Sequence, residues 1–455
     1  MSLPIDARLQ TLDLGECKSL TKIPEGDYSE LTHVWLNGCP GLKRFAPLRP
    51  ALKRLQQLEL HGCDFQDGPG ADRCGLPDEN VADRIRNHFQ ELTHQGCAPL
   101  LECKVIVLGN GGVGKTELVR ALKGLGHDSE QKSTHGIRLW KWNGATDRVP
   151  FHPFPEITDT ELQLNIWDFG GQDLYHNTHR LFMETQAVFV VVERYRRTDR
   201  PLRPEHPDDY CRPLDYWLDQ VYTMAGRSGR TPRVLIVRSA IDETDNVEVL
   251  PPWQTRVRSD YCDLPYFELS SKDELRNTEF WTDFRKQLLQ AVTDELGGLE
   301  AVQQPRGRVA VRSELQRFQP EWNELIRVSG SDRPLLRRHE FQKLVEDVFD
   351  GLKITGADDE EIRWQLDFFH HRGIVYAPPE WMEQSISRDA YPVVVDQRWI
   401  IEGIYELMRP ERGTRDDLMQ AWGRITRGEL WQAWDQLEIE QPELKYDEEA
   451  RCAMR

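Results

Sequence analysis

The apolar positions near the N-terminus recur with a fixed internal spacing. Leu9, Leu12, Leu14 and Cys17 are followed by Leu31, Val34, Leu36 and Cys39, then by Leu55, Leu58, Leu60 and Cys63. Alternating leucines of this kind predict one short core-facing strand per copy, with the cysteine slot filling the turn behind it. Residues 64–83 are polar and rich in Gly, Asp and Pro and read as a linker. A helical pattern follows over 84–95. From there the pattern changes to continuous apolar runs at 103–108, 162–167, 187–192, 233–238 and 266–269, with helical stretches between them. Alternation of this type predicts a parallel sheet covered on both faces. The stretch 194–213, rich in Arg, Pro and Asp, reads as a long surface loop. Beyond 298, residues 308–350 show apolar positions at i, i+3, i+4. A helix from Trp364 is closed by Gly373 and leads to a strand ending at Tyr376, and Val393–Ile401 reads as a second strand.

The three N-terminal copies are offset by 22 and 24 residues, which is leucine-rich-repeat spacing. Cys17, Cys39, Cys63, His33 and His61 could also be read as metal ligands, but one fixed slot per repeat already accounts for the cysteines. Helices followed by a two-stranded ribbon suggest a winged-helix module at the C-terminal end.

Composition narrows the class. There are 58 Lys and Arg against 76 Asp and Glu, a net charge of −18. That balance argues against a general nucleic-acid or anionic-membrane binder, and against DNA docking by the winged-helix module. No run of 18 apolar residues is present and the N-terminus has no signal core, so no membrane span and a cytoplasmic setting are expected. Nine cysteines in such a chain suggest reduced thiols.

Candidate chemistry begins at Gly109-Asn110-Gly111-Gly112-Val113-Gly114-Lys115-Thr116, between the run Val105–Leu108 and the helix-like Glu117–Leu122. Strand, glycine loop and helix start build a phosphate cradle. Glycines let backbone N–H groups converge on anionic oxygens, and the helix N-terminus adds positive potential. Lys115 is expected to reach the β- and γ-phosphates, and the Thr116 hydroxyl to bind Mg²⁺. About 50 residues later comes Trp167-Asp168-Phe169-Gly170-Gly171-Gln172. An Asp at the end of a neighbouring strand can reach Mg²⁺, the backbone N–H of Gly170 or Gly171 can approach a γ-phosphate, with Gly171 the candidate, and Gln172 can orient the attacking water. Thr134 is a candidate third ligand of the Mg²⁺ shell. Asp168-Phe169-Gly170 also spells a kinase motif, but the glycine loop is of the wrong type and no His-Arg-Asp loop precedes it.

Base recognition is weaker. Ser239-Ala240-Ile241-Asp242 stands where Asn-Lys-x-Asp is usual. Asp242 can accept two guanine N–H groups, so guanine preference is expected, with reduced affinity. The lysine whose stem normally covers the base is Ala240, and the asparagine that ties the loops together is Ser239. Ser270-Ser271-Lys272 matches a second, base-supporting slot. His176 and His179 read as packing residues behind Gln172. Arg194, Arg196, Arg197, Arg200 and Arg203 read as a solvated loop, with an arginine finger as the sharper alternative.

The combination resembles the Roco family. The residues carrying the resemblance are the glycine loop, Trp167–Gln172 continuing to His179, Phe369–Tyr376 and Val395–Ile400. The resemblance implies an α/β fold: a P-loop (Roc) GTPase domain with a parallel sheet at 99–298. Leucine-rich repeats at 1–70 and a linker with a helix at 71–98 precede it, and a helical, winged-helix COR-like module at 299–455 follows. It implies a slow GTPase switch with GTP or GDP and Mg²⁺, Gln172 and Lys115 in catalysis, and a protein partner reached through the repeats or the COR module. The family's second COR half, which usually carries dimerisation, is not matched. A stable homodimer is therefore in doubt, and a longer natural chain is suggested. Two readings of other classes stay open: a non-catalytic nucleotide-binding scaffold with a degenerate base slot, and an ATPase.

Overall fold

The computed structural model describes residues 9–24, 26–63, 65, 67, 74–75, 78–128, 137–143, 162–170, 183, 187–194, 212–225, 231–239, 253–272, 278–297, 303–317, 335–353, 359–371, 374–377 and 392–395. The chain forms two compact units, Met1–Arg306 and Gly307–Arg455.

The first unit opens with β1 (Thr11–Asp13), β2 (His33–Trp35) and β3 (Gln57–Glu59) in one parallel sheet. Leu12 pairs with Val34 and Val34 with Leu58, so equivalent positions of the three copies lie in register. Val34, Leu36, Leu58 and Leu60 are fully buried behind the sheet. The Cys39 thiol donates to the Leu14 carbonyl at 3.0 Å, and the Cys63 thiol to the Leu36 carbonyl at 3.1 Å. Each thiol thus fastens its turn to the strand end of the copy before it. That use, rather than metal, explains the cysteine slot; among the described residues no His/Cys/Asp/Glu group could hold a metal ion.

The expected linker at 64–83 is partly built into this core. Phe65, Cys74 and Val81 are buried there. The Asn80 carboxamide accepts the Leu58 N–H at 3.0 Å and donates to the Gln56 carbonyl at 2.7 Å, extending the edge beside β3. Helix α1 (Ala82–Gln95) follows, and Ala82 and Ile85 join the same core. Arg86 donates to the carbonyls of Leu52 and Leu55. A stack of three repeats leaves its last apolar face open, and α1 closes it. The polar composition of 64–83 concealed this, because few of its residues are apolar.

After β4 (Cys97–Pro99) comes the main sheet. Its elements are β5 (Glu102–Leu108), α2 (Lys115–Leu122), β6 (Ile137–Asn143), β7 (Gln163–Phe169), β8 (Val188–Glu193), α3 (Leu214–Ala225), β9 (Arg233–Arg238), β10 (Tyr266–Glu268) and α4 (Glu279–Leu296). The strand order is β10-β9-β8-β5-β7-β6. Five strands are parallel, but β6 runs antiparallel to β7, so the sheet is mixed rather than parallel throughout. Strands covered on both faces read as unbroken apolar runs. The edge strand β6 is buried only at Ile137 and Trp142, with Leu139 exposed, and carries no such run. Helix α4 places Trp281, Phe284, Leu288, Val292 and Leu296 on one stripe against the sheet core. Strand β11 (Gln303–Pro305) returns to pair antiparallel with β4.

The second unit contains α5 (Arg306–Arg317, from its second residue), β12 (Leu335–Arg337), α6 (Arg338–Leu352), α7 (Asp359–His371) and β13 (Pro392–Val394). β12 and β13 pair antiparallel, and Tyr376 bridges to Val394. β12 was not legible in the sequence, and of the expected strand Val393–Ile401 residues 396–401 lie outside the described residues. Arg312 of α5 is buried with its guanidinium 3.8 Å from the centroids of both Trp364 and Phe368 of α7. Arg308 pairs with the buried Glu361 at 3.0 Å. Among the described residues no helix is long and apolar enough to cross a membrane.

Candidate nucleotide site

The carboxyl ends of β5, β7, β8, β9 and β10 gather the candidate residues, as is usual where an α/β sheet binds ligands. β5 ends at Leu108, and the loop starts on Gly109 at φ +140°. A Cβ on Gly109 would lie 2.0 Å from the Val192 carbonyl oxygen, so only glycine lets the loop pass beside β8. Gly114, at φ +89°, turns the chain into α2. Gly111, Gly112 and Val113 complete the loop between them.

Lys115 is buried, and its Nζ donates to the carbonyls of Gly109 at 2.8 Å and Asn110 at 2.7 Å. Burial pulls its pKa down to about 8, with the Asp168 charge acting in the other direction. The Thr116 hydroxyl donates to Asp168 Oδ2 at 2.6 Å. Asp168 is fully buried, and burial pushes its carboxyl up. The Thr116 hydrogen bond and the charges of Lys115 and Arg138 oppose that shift. The Trp140 indole also lowers the carboxyl's pKa, although Oδ1 is buried without a hydrogen bond of ordinary geometry. A buried carboxylate oxygen of this kind, beside a hydroxyl, has the chemistry of a hard divalent-cation ligand. Lys115, Thr116 and Asp168 are therefore brought together as the sequence suggested.

Three further contacts hold the loop, and sequence reasoning found none of them. The Asn110 side chain accepts the Arg212 N–H at 2.9 Å and the Trp217 indole N–H at 3.3 Å, and donates to the Arg212 carbonyl at 2.8 Å. This clamps the loop to the start of α3. The buried Ser239 hydroxyl donates to the Val113 carbonyl. The loop tie expected of an asparagine is therefore made by a serine. Arg194, just past β8, donates from Nη1 to the Gly112 carbonyl at 3.3 Å. Ser270, Ser271 and Lys272 follow β10 beside Ser239, where the Leu269 N–H reaches the Arg238 carbonyl at 2.8 Å. The Ser270 carbonyl accepts the Trp281 indole N–H at 2.7 Å, and its hydroxyl accepts the Lys272 N–H at 3.3 Å.

Thr134, Gly171, Gln172 and Asp242 lie outside the described residues, as do Ala240, His176, His179, Arg196, Arg197, Arg200 and Arg203. One buried cation was also overlooked. Lys104 on β5 lies with Nζ 4.0 Å from the Trp167 ring centroid, and burial pulls its pKa down to about 7. Its signal was present, as the single charge within the apolar run 103–108.

The fold and the site define a phosphate-loop nucleotide-binding domain. Residues 104–242 match the family model described as "Ras of Complex, Roc, domain of DAPkinase". The chain is 29% identical over 199 residues to a Roc-COR-CHAT protease from an unknown prokaryotic organism, covering 42% of this chain and 18% of that one. It is 25% identical over 247 residues to leucine-rich repeat serine/threonine-protein kinase 1 of Caenorhabditis elegans, covering 52% of this chain and 9% of that one. It thus spans less than a fifth of either relative's length. A solved structure of Methanosarcina barkeri Roco2 RocCORdC bound to GDP shares the fold with a TM-score of 0.52 at 21% identity. The match covers 79% of this chain and 90% of that one. Residues 104–242 thus form a Roc domain, and the chain is similar to Roco-family proteins.

Proposed function

We propose that this chain is a guanine-nucleotide switch that binds GTP with Mg²⁺ and hydrolyses it slowly to GDP. The observation carrying this reading is the Thr116–Asp168 contact of 2.6 Å, with the second carboxylate oxygen buried beside it and Lys115 next in sequence. Thr116 and Asp168 fit Mg²⁺, with Thr134 as the further candidate ligand. When bound, Mg²⁺ neutralises charge on the phosphates. The loop N–H groups of residues 109–116 then hold the phosphates. Lys115 exchanges its two loop carbonyls for phosphate oxygens, and Gly171 approaches the γ-phosphate. Gln172 orients water. Asp242, supported by Ser271 and Lys272, receives the guanine. Catalysis here consists of positioning and charge neutralisation.

The N-terminal parallel sheet, closed by α1, is read as a short leucine-rich-repeat stack, and the second unit as the first half of a COR module. Nucleotide state would be passed to these modules and through them to a protein partner. The Ser239–Val113 tie favours a working base slot over a degenerate scaffold. The test is titration with GTP, GDP and ATP in the presence of Mg²⁺, followed by turnover. Lys115→Ala should abolish binding, and Gln172→Leu should bind GTP but hydrolyse it more slowly. Normal GTP binding by the Lys115→Ala protein would overturn the reading.

A further inference from the structure

The N-terminal sheet turns alternate residues of each strand away from its core. Val34 and Leu58 face inward, so Asp13, Trp35 and Glu59, opposite one another in register, form a row on the other face. Thr11, His33 and Gln57 form the row before it. This face carries acid and no base. No Lys or Arg stands in β1, β2 or β3 or in the two residues on either side of each, whereas Lys18, Lys22, Lys43, Arg44 and Lys53 lie in the connecting segments. Asp13 and Glu16 are both exposed. A Cβ on Gly38 would lie 2.5 Å from a Glu16 carboxylate oxygen, so that carboxylate rests on the turn that follows β2.

One buried carboxylate organises the row. Glu59, only 7% exposed, accepts the Trp35 indole N–H at 2.9 Å and the side-chain amides of Gln57 at 2.7 Å and Asn37 at 2.6 Å. All three donors are neutral, and among the described residues no cation pairs with Glu59. A buried charge is costly until an opposite charge meets it. Trp35 is pinned at its edge by Glu59 and stacks on His33, with ring centroids 5.8 Å apart and planes 25° from parallel. It is only half-buried, so a fixed aromatic ring stands open between an exposed carboxylate and a buried one.

We propose that this face docks an arginine side chain carried on an extended segment of a protein partner. The inference deepens the reading that the repeats meet a protein partner, and it does not depend on the nucleotide site. A guanidinium lying on the Trp35 ring keeps its N–H groups in plane for the Asp13 carboxylate and brings a positive charge over Glu59. An acidic segment meets like charge here. Neighbouring parallel strands lie about 4.8 Å apart, so the row is roughly 10 Å long and matches about three residues of extended chain. One anchoring arginine therefore fills it.

The experiment is an NMR titration of the full chain into a blocked Gly-Ser-Arg-Ser-Gly peptide and into the same peptide with uncharged citrulline in place of arginine. Citrulline should bind about tenfold more weakly. Trp35→Leu and Asp13→Asn should each weaken the arginine peptide by about fivefold. Asp13→Asn keeps the oxygen that accepts the Gly15 N–H, so the turn is preserved. Asp283→Asn makes the same charge change at an exposed position of α4 and should leave peptide binding unaltered. Melting curves check the folding of each variant, and GDP titration of the same samples reports separately on the nucleotide site. Equal affinity for the arginine and citrulline peptides would overturn the inference while leaving the repeats as a peptide-binding surface. Equal losses in Asp13→Asn and Asp283→Asn would also overturn it, since the attraction would then be that of net charge alone. Failure of both peptides to bind would overturn it together with the partner reading of the repeats.

Discussion

Ser239→Ala isolates the loop tie that stands in for an asparagine. Ser239 is 5% exposed, and its hydroxyl donates to the Val113 carbonyl. Removing one oxygen leaves almost no cavity, so the cost is that of an unpaired buried carbonyl, about 1–3 kcal/mol. Val113 directly precedes Gly114, whose left-handed backbone starts α2, so this bond helps fix where the cradle's N–H groups point. If the freed loop loses order only in the empty protein, the cost appears in binding, and GDP affinity falls between about fivefold and a hundredfold. If the loop stays ordered but unsatisfied, the cost appears in stability, lowering the nucleotide-free melting temperature by about 2–4 °C per kcal/mol. Calorimetric titration with GDP and a melting curve without it separate the two cases. Ser239→Asn, which keeps a donor, should lose less in both. If Ser239→Ala changed neither affinity nor melting temperature, the tie would contribute nothing and the argument for a working slot would fail.

Two other perturbations follow from the structure. Lys115 has a pKa of about 8 in the empty site, and bound phosphate raises it. Affinity is therefore constant below about pH 8 and declines as pH rises through that value, by up to tenfold per unit, until the bound-state pKa is passed. Guanine N1–H also titrates at the alkaline end, so Lys115→Arg, whose side chain stays charged, serves as the reference. Parent and Arg proteins with the same pH profile would refute the assignment. Asn80→Ala removes the amide that joins the edge of β3 to the start of α1. It should cost about 1–2 kcal/mol and speed proteolytic cleavage within the N-terminal repeats relative to the nucleotide sheet. Equal cleavage rates in the parent and variant proteins would show that α1 does not secure the stack.

What the sequence disclosed depended on how locally each feature is determined. β5, β8 and β9 are buried on both faces, so their central residues are apolar and each is visible as a run. β6 lies at the edge and β12 is three residues long, so neither carries an apolar run that sets it apart from loop composition. The cradle was legible because Gly109 to Thr116 supply it from one contiguous stretch. Asp168 was legible because it closes an apolar strand. The fastenings were not. Asn110 meets Arg212 and Ser239 meets Val113, more than a hundred residues away in each case, and the partners are backbone carbonyls or N–H groups that any residue provides. Ser239 looked like a loss because asparagine was the expected donor. The structure shows that the bond needs only a hydroxyl at that place.

The same register explains why the two segments flanking the phosphates should respond together in the proposed switch. β6 and β7 are joined residue by residue, with Ile137 opposite Phe169 and Arg138 opposite Asp168. Asp168 is bonded to Thr116, and the Arg138 charge also bears on its carboxyl. A ligand that draws the Thr116 hydroxyl away from Asp168 therefore changes the charge balance at the end of β7, and the β6 ladder feels it through Arg138. The stretch entering β6 carries Thr134, and the stretch leaving β7 carries Gly171 and Gln172. Packed strands shift as units rather than deforming continuously. Contact of a γ-phosphate with either stretch would thus bias both, and hydrolysis would release both in one step. Removing the charge beside Asp168, by Arg138→Ala, should weaken the coupling of the two responses while leaving the backbone ladder and the glycine loop intact. If amide exchange in β6 still followed that in β7 between the GDP- and GTP-analogue-bound states of this variant, the coupling would have to run by another route.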